Sequence, residues 1–241
     1  MEIRGQQGTQ PLGCFLGDAD TRTLQNPMPD LKTRAQRERE TAAAVLLIFQ
    51  QYGQDALHAW PGPYDWAIMQ ARLQAALTPT LAETFEQAAA QIKAKYGVQI
   101  SEPELRRWAE QWANGYAGPL STAIVGTTQA DLDALKGKTQ AEVAAAFAVI
   151  VAGMAARAEM IAITETTRAI SAGEGFMVER GGLIGAEGVE LLWQTAEDER
   201  VCDVCGPLHG AGYEIYDRVS PGGPPAHPRC RCFLSPPEDF S

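Results

Sequence analysis

Residues 202–232 read CDVCGPLHGAGYEIYDRVSPGGPPAHPRCRC, and this stretch holds four of the five cysteines of the 241-residue chain. The first cysteine pair has the spacing Cys-x2-Cys, and the second has the spacing Cys-x-Cys with a histidine shortly before it. A Cys-x2-Cys turn offers two thiolates at the spacing that a tetrahedral Zn²⁺ ion accepts. The stretch therefore predicts a zinc site. Its expected ligands are Cys202, Cys205, His227 and Cys230, with Cys232 as the rival for the fourth position.

Two other chemical states of these cysteines are compatible with the sequence. In an exported protein the four thiols would form two disulfides, and in a reducing compartment without a metal they would be buried free thiols. The ligand spacing favours zinc over both. His209, within Gly-Pro-Leu-His-Gly, is interpreted as a turn residue near the site, and Cys14 as a lone reduced thiol far from it.

The segment between the two cysteine pairs indicates what the metal would do. Residues 206–226 contain five glycines and four prolines, a composition that builds little helix or continuous sheet unaided. A closed metal site would tie both ends of this segment together and contribute directly to folding. Four protein ligands also leave no position for an activated water, so a structural role is favoured over a catalytic one.

Composition and charge limit the classes of fold, location and partner that the sequence allows. With 45% hydrophobic residues, the chain can bury a sizeable core as one large domain or two small ones. No secretory signal peptide is recognised, so we expect the cysteines to be kept in a reducing cytoplasm. The most apolar run, 143–156, is too short to span a bilayer and is interpreted as a buried helix. The net charge is −10, and 171–241 hold five basic against twelve acidic residues, which disfavours binding to a nucleic-acid backbone.

The first half of the chain has a mainly helical pattern. Residues 1–30 mix Gly, Gln, Thr and Pro without periodicity and predict a flexible N-terminal arm, and residues 31–118 predict a helical region. Capping boxes begin two of the helices at Ser101 and Thr139, and Gly173 is expected to end the last one. The predicted helices cover residues 31–59, 64–76, 78–97, 101–114 and 139–172. Short strands are predicted at 189–195, 212–216 and 232–234.

Two residue pairs within the helices allow either a functional or a structural interpretation. Trp108 and Trp112 are compatible with a binding strip, but at i and i+4 we interpret them as core. Glu165 and Arg168 are compatible with an active pair, but at i and i+3 we interpret them as an ion pair that orients the helix against the zinc module. The sequence contains no phosphate-binding loop, nucleophile elbow or His-Glu-x2-His pair, and its three histidines leave little capacity for acid–base chemistry.

Four pieces of the C-terminal half, taken in order, resemble the phage Mu F-like head morphogenesis family. They are ITETTR at 163–168, LWQTAEDERVCDVC at 192–205, LHG at 208–210 and PPAHPRCRC at 224–232. Each piece alone is weakly specific, but their combination and order are specific. The resemblance covers about residues 120–235, and we expect residues 119–241 to form the Mu F-like domain with its Cys/His metal site.

The resemblance implies a minor head protein of a tailed bacteriophage or prophage, located in the head interior or at the portal vertex, and in the host cytoplasm during assembly. It implies binding to portal and capsid proteins, at most weak contact with packaged DNA, and no membrane partner. The family's pattern positions in this chain are the five metal-site residues, Glu165 and Arg168 in the helix, and Asp198 and Arg200 in the turn. His209 departs from the family pattern, which often has an acidic residue there.

The expected fold class is α+β, with a mainly α-helical N-terminal region followed by a small zinc-stabilised module with a short antiparallel sheet. The expected function is head assembly through binding, without enzymatic activity. The alternative is a zinc-containing nuclease or toxin-like effector delivered with the phage particle, using His209 or His227 as general base, or Glu165 and Arg168. A nuclease needs a positive groove for the nucleic-acid backbone, and the acidic C-terminal residues count against it.

Overall fold

Four long helices account for most of the residues that the computed structural model describes, which are 31–59, 62, 64–180 and 190–237. The helices are α1 (Leu31–Ala59), α2 (Trp66–Tyr96), α3 (Glu102–Asp133) and α4 (Gln140–Arg180). A small module follows, with β1 (Leu192–Gln194), a 3₁₀ turn (Gly206–Leu208), a short helix α5 (Tyr213–Tyr216) and β2 (Phe233–Ser235). The α+β class expected from the sequence is confirmed. The predicted N-terminal arm, 1–30, lies outside the described residues.

Side chains at the helix ends explain several of the boundaries. Both predicted capping residues are confirmed: Ser101 Oγ accepts a hydrogen bond from the N–H of Glu104, and Thr139 Oγ1 accepts one from the N–H of Glu142, each at 3.4 Å. In return, Glu142 Oε2 accepts from the N–H of Thr139 at 2.8 Å, which completes the second capping box. The left-handed residue Gly97, with a φ of 66°, ends α2 as predicted.

Two predicted helix breaks, at Thr78 and at Asn114, are wrong, because α2 and α3 continue through them. Thr78 does not cap a new helix: its Oγ1 donates to the carbonyl oxygen of Gln74 at 2.8 Å, and Pro79 lies inside α2. Asn114 likewise donates to the carbonyl oxygen of Glu110 at 2.8 Å within α3. In both helices the buried residues continue on each side of the expected break, so tertiary packing outweighs the local cost of Pro or Gly.

The expected end of the last helix at Gly173 is also wrong, since α4 runs to Arg180. Gly173 instead marks the crossing of α4 and α2. A Cβ atom at this position would overlap the carbonyl oxygen of Phe85 and would lie 3.2 Å from the backbone nitrogen of Ala89. Glycine is therefore needed here for the close approach of two helix backbones and not for a turn.

The helix α2 is central to the bundle, since it packs against α1, α3 and α4. The two tryptophans of α3 that were interpreted as core are half-buried and belong to an aromatic cluster at these contacts. The ring of Trp112 lies 5.2 Å from that of Phe85 in α2, and the ring of Trp108 lies 5.6 Å from that of Phe176 in α4. The cluster joins three helices through large apolar side chains.

Two short strands join the ends of the module. The strands β1 and β2 pair antiparallel, with Trp193 opposite Leu234. The Trp193 side chain is fully buried, and its ring lies 5.9 Å from that of Tyr216. Both strands lie within a few residues of the strands predicted at 189–195 and 232–234. Residue 189 itself lies outside the described part of the chain.

The third predicted strand, at 212–216, is wrong, because these residues form a helical turn. The N–H groups of Ile215 and Tyr216 both donate to the carbonyl oxygen of Gly212, at 3.0 and 3.1 Å. Tyr216 is buried, and the other three residues of α5 are exposed. So short a run does not distinguish a period of 2 from one of 3.6, so the pattern alone was unable to decide between strand and helix.

Among the described residues, α4 is the one helix whose length and composition would allow it to cross a membrane. Its apolar 18-residue window has a mean hydropathy of 1.8, and 22% of that window is buried. Core helices of soluble proteins also meet these conditions, so length and composition alone are weak evidence for a span. In the second half of α4, Ala169 and Met177 are each 0% exposed, so this half is a core element of the bundle.

A buried carboxyl group lies between α4 and β2. Glu174 is 4% exposed and accepts a hydrogen bond from the backbone N–H of Leu234. Burial raises the pKa of Glu174 to about 8, although the Leu234 hydrogen bond and the charge of Arg34 favour the ionised form. The carboxyl is therefore largely neutral in the folded protein below pH 8.

We expect Gly173→Ala to destabilise the fold by about 1–3 kcal/mol, because the new methyl group overlaps the Phe85 carbonyl. Gly175→Ala, in the same helix, is the matched control, since a Cβ there meets nothing within 4 Å. The control should be stabilised by up to about 1 kcal/mol, because alanine is the better helix former. Urea unfolding followed by circular dichroism measures both, and equal midpoints would contradict the close helix crossing.

The raised pKa of Glu174 predicts a pH-dependent stability. Between the ordinary value of 4.5 and about 8, the folded protein binds more protons at this group than the unfolded chain does, so the free energy of unfolding falls as pH rises through this window. Glu174→Gln should remove that fall and be the more stable form at pH 8. Urea midpoints of variant and wild type at pH 5 and pH 8 measure the difference, with the exposed Glu179→Gln as control. The same pH response in all three proteins would show the expectation to be wrong.

Candidate metal centre

Backbone hydrogen bonds shape the Cys-x2-Cys turn that follows β1. The N–H of Cys205 lies 3.4 Å from the Sγ atom of Cys202 and 3.1 Å from its carbonyl oxygen. The N–H of Gly206 donates to the same carbonyl at 2.9 Å and leads into the 3₁₀ turn. The turn brings both sulfur atoms to 3.1 Å from Nε2 of His227.

Five donor residues gather here in two overlapping sets. In the first set, the donor atoms of Cys202, Cys205 and His227 lie within 4.8 Å of one another. In the second set, the sulfur atoms of Cys205, Cys230 and Cys232 do the same. Cys205 belongs to both sets, so the cluster is continuous. These are the residues that the sequence proposes as ligands, and together they could hold a metal ion.

The spacing of the donor atoms fits a tetrahedral ion. With metal–sulfur bonds of about 2.3 Å, two sulfurs of a tetrahedral site lie about 3.8 Å apart. The sulfur atoms of Cys205 and Cys230 are 3.8 Å apart. Nδ1 of His227 lies 2.8 Å from the carbonyl oxygen of Pro228, which can only accept, so Nδ1 carries the proton. Nε2 then keeps its lone pair toward the sulfurs, which is the tautomer that binds a metal.

The buried part of the cluster favours a thiolate. Cys205, Cys230 and Cys232 are 2%, 1% and 4% exposed. Hydrogen bonds from the thiols of Cys205 and Cys232 hold the pKa of Cys230 well below its ordinary value. The same contact with Cys230 raises the pKa of the Cys205 thiol. Because metal ions bind thiolates, a cluster that lowers the pKa of one of its thiols is suited to bind one.

Two threonines fasten the Cys-x-Cys segment to α4. The N–H of Arg229 donates to Oγ1 of Thr164 at 2.9 Å, and Oγ1 of Thr167 donates to the carbonyl oxygen of Cys230 at 2.7 Å. Both threonines lie in the stretch ITETTR, which is part of the family resemblance, but no role was predicted for either of them. Their i and i+3 spacing places them on one helix face. This spacing is the feature of the sequence from which a shared contact surface could have been predicted.

Arg34 of α1 extends this contact to the first helix. Its guanidinium donates to Oγ1 of Thr167 at 2.6 Å and to the carbonyl oxygen of Arg231 at 3.3 Å, and it pairs with Glu38 at 2.9 Å. Arg34 is only 6% exposed. Sequence reasoning missed it, because it stands in a run of mixed charge that is typical of a solvated helix face. We call Arg34, Thr164 and Thr167 the clamp.

The predicted ion pair between Glu165 and Arg168 is present, with 3.3 Å between Oε2 and Nε. Its expected role against the metal module is wrong, because Glu165 faces α3. The hydroxyl of Tyr116 donates to Glu165 Oε2 at 2.7 Å, and the guanidinium of Arg168 lies 5.6 Å from the centre of the Tyr116 ring. Burial raises the pKa of Glu165. The pair therefore connects α4 to α3, and the clamp residues perform the role that was expected of it.

His209 and Asp198 hold the turn after β1 in place and belong to neither donor set. Nδ1 of His209 lies 3.1 Å from Thr195 Oγ1, and its Nε2 lies 3.2 Å from a carboxylate oxygen of Glu197. Both oxygens of Asp198 accept from the guanidinium of Arg231, at 2.7 and 2.8 Å, and this contact holds the pKa of Asp198 below its usual range. His209 is thus a turn residue, as interpreted from the sequence.

Arg200 completes this turn. Its N–H donates to Asp198 Oδ1 at 3.0 Å, and its guanidinium lies 3.6 Å from the other oxygen of the same carboxylate. The acidic turn is therefore tied to the Cys-x-Cys segment by charged hydrogen bonds between Asp198 and Arg231.

Replacing the shared residue Cys205 with serine should abolish metal binding, because it removes a donor from both sets. The loss of affinity should exceed the roughly 10–100-fold that is typical of losing an outer-shell partner. Cys232→Ser should cost less, since it leaves the first set and Cys230 in place. Elemental analysis and thermal unfolding before and after chelation measure these effects, with Cys14→Ser as the control. Wild-type metal content in Cys205→Ser would rule out a metal centre at this cluster.

The same part of the chain matches a known protein family. The family model described as phage Mu protein F like protein matches residues 130–235. The match begins near the end of α3 and runs through α4 and the module to the last residue of β2. No curated protein and no solved structure matches the chain significantly. Residues 130–235, which include both sets of metal donors, are therefore similar to the phage Mu protein F like family.

Proposed function

We propose that this protein is a head morphogenesis protein of a tailed bacteriophage or prophage, a minor capsid protein that acts by binding. The observation that carries the proposal is the family match over 130–235, which coincides with α4 and the whole metal module. The protein would reside in the phage head or at the portal vertex. It would contact the portal protein or the inner capsid surface during assembly.

The metal in this proposal is Zn²⁺, bound by Cys202, Cys205, His227 and Cys230. Sulfur and imidazole ligands in a tetrahedral arrangement are those that structural zinc sites use. This set is supported by the 3.8 Å between the sulfurs of Cys205 and Cys230 and by the unprotonated Nε2 of His227, which lies 3.1 Å from the sulfurs of Cys202 and Cys205. Bound zinc would cross-link the two cysteine pairs. Cys232, next to β2, would remain as a buried thiol.

Exposed apolar side chains on the module support a protein partner. Tyr213 and Ile215 of α5 are 56% and 57% exposed, and Val204 and Val219 are 49% and 50% exposed. The acidic residue Glu214 lies between the first two. Exposed apolar side chains with acidic neighbours suit contact with a protein surface, and the acidic residues repel a nucleic-acid backbone, so contact with packaged DNA would be weak at most.

The enzymatic alternative has less support. Within the described part of the chain, His209 is bonded to Thr195 and lies beside Glu197, and Glu165 is bonded to Tyr116. The other histidine of the module, His227, belongs to the first donor set. Each residue that would serve a nuclease or toxin-like effector thus has a structural contact of its own, and binding remains the better-supported function.

The double variant Tyr213→Ser, Ile215→Ser tests the proposed partner surface in the full-length protein. We expect it to fold and bind metal normally, and to co-purify with the portal and capsid proteins of the same phage at least about tenfold less, because two apolar contacts are lost. Ile68→Ser, which changes a 50% exposed residue of α2, is the matched control. Mass spectrometry of purified heads from complemented phage measures incorporation.

Two outcomes would overturn parts of this proposal. Wild-type incorporation of the double variant would reject α5 as the contact surface. Normal head production by a phage that lacks the gene for this protein, together with nuclease activity of the purified chain, would reject head morphogenesis in favour of an effector.

A further inference from the structure

The first half of α4 has an apolar face that is exposed to solvent. Between Glu142 and Arg157 the helix has no charged residue. One side of this stretch packs into the core through Val143, Phe147 and Met154. The opposite side is exposed, and Val149 on it is 73% exposed. The exposed residues on this side, which we call the α4 face, are Ala141, Ala145, Ala148, Val149, Ala152 and Ala156.

The α4 face suits contact with another helix. Its residues recur at spacings of three and four, so they form one stripe along the helix. None of its side chains is larger than valine, so a second helix axis can approach to about 8 Å. The face also has no polar side chain, so a partner must be equally apolar and uncharged along the same length. A second copy of the same face meets this condition by symmetry.

Charges at the two ends of the face set the direction of such a pair. Lys138 is exposed just before the start of α4. Glu159 lies one turn beyond Ala156, and its side chain is 58% exposed although it pairs with Arg229 at 3.2 Å. In an antiparallel pair, Lys138 of each copy approaches Glu159 of the other. In a parallel pair like charges would meet at both ends, which is unfavourable.

We propose that two copies of this chain associate through the α4 face, with the helices antiparallel and the two-fold axis between Ala148 and Val149. Ala145 then lies against the second copy's Ala152, and Ala141 against the second copy's Ala156. The face is about 20 Å long and about 10 Å wide, from the helix rise and diameter. Its area is at the small end of protein interfaces, so the dimer is weak and forms at high local concentration.

A lipid bilayer is a less suitable occupant of this face. The uncharged stretch between Glu142 and Arg157 rises about 21 Å, which is shorter than the roughly 30 Å hydrocarbon core. One side of the stretch already packs against the bundle through Phe147 and Met154. A bilayer would therefore meet charged residues at both ends of the face, whereas a second copy pairs them.

Sedimentation analysis of the full chain over concentrations from about 1 to about 500 µM tests the association, a range that covers weak dimers. We expect wild type to dimerise and Val149→Glu to weaken the dimer at least about tenfold, because two carboxylates would meet at the axis. Leu47→Glu is the matched control, since Leu47 is 65% exposed on α1. Circular dichroism confirms that each variant is folded.

Cysteine cross-linking tests the direction of the pair in a Cys14→Ser background, with that parent protein as the blank. With a short thiol cross-linker, Ala148→Cys should link to its own copy. Ala141→Cys should not link to itself but should link to Ala156→Cys when the two proteins are mixed. Efficient self-linking of Ala141→Cys would indicate parallel helices and would reject the antiparallel arrangement.

Three results would overturn the proposal as a whole. The first is a monomeric wild type at every concentration. The second is a dimer that Val149→Glu leaves unchanged. The third is co-sedimentation of monomers with anionic phospholipid vesicles that Val149→Glu abolishes, which would assign the face to a membrane surface.

Discussion

The hydrogen bonds between the clamp and the Cys-x-Cys segment are the constraint on which the rest of this structure depends. The segment carrying Arg229 and Cys230 packs against α4, and a buried backbone group without a partner is costly. From α4, Thr164 accepts a hydrogen bond from the N–H of Arg229, and Thr167 donates one to the carbonyl oxygen of Cys230. The position of the metal donors is therefore set by α4, and a metal ion would add a cross-link to a segment already held in place.

This constraint also joins the two parts of the chain. Arg34, in the first described turns of α1, reaches the carbonyl oxygen of Arg231 across a separation of 197 residues. The helix α4 packs against α1 and α2 in the bundle and against β2 in the module. The expected helical region, 31–118, and the expected Mu F-like domain, 119–241, are thus in contact through α4.

The two halves of α4 have different surroundings. Its second half is a core element, where Gly173 permits the crossing with α2 and Glu174 is buried beside β2. Its first half packs on one side only and presents Val149 to solvent. In the arrangement proposed above, the module meets head proteins through α5, and the α4 face meets a second copy.

The amino-acid sequence by itself determined the features that depend on residues close together in the chain. The caps at Ser101 and Thr139, the residues of the metal cluster and the family pattern could be predicted, because each depends on residue type and short spacing. Tertiary structure alone decided the rest. Pro79, Asn114 and Gly173 are local helix breakers, and only the packing of a continuous buried face keeps them inside helices. The partners of Thr167 and Arg34 are far away in the chain, so no local pattern specifies them.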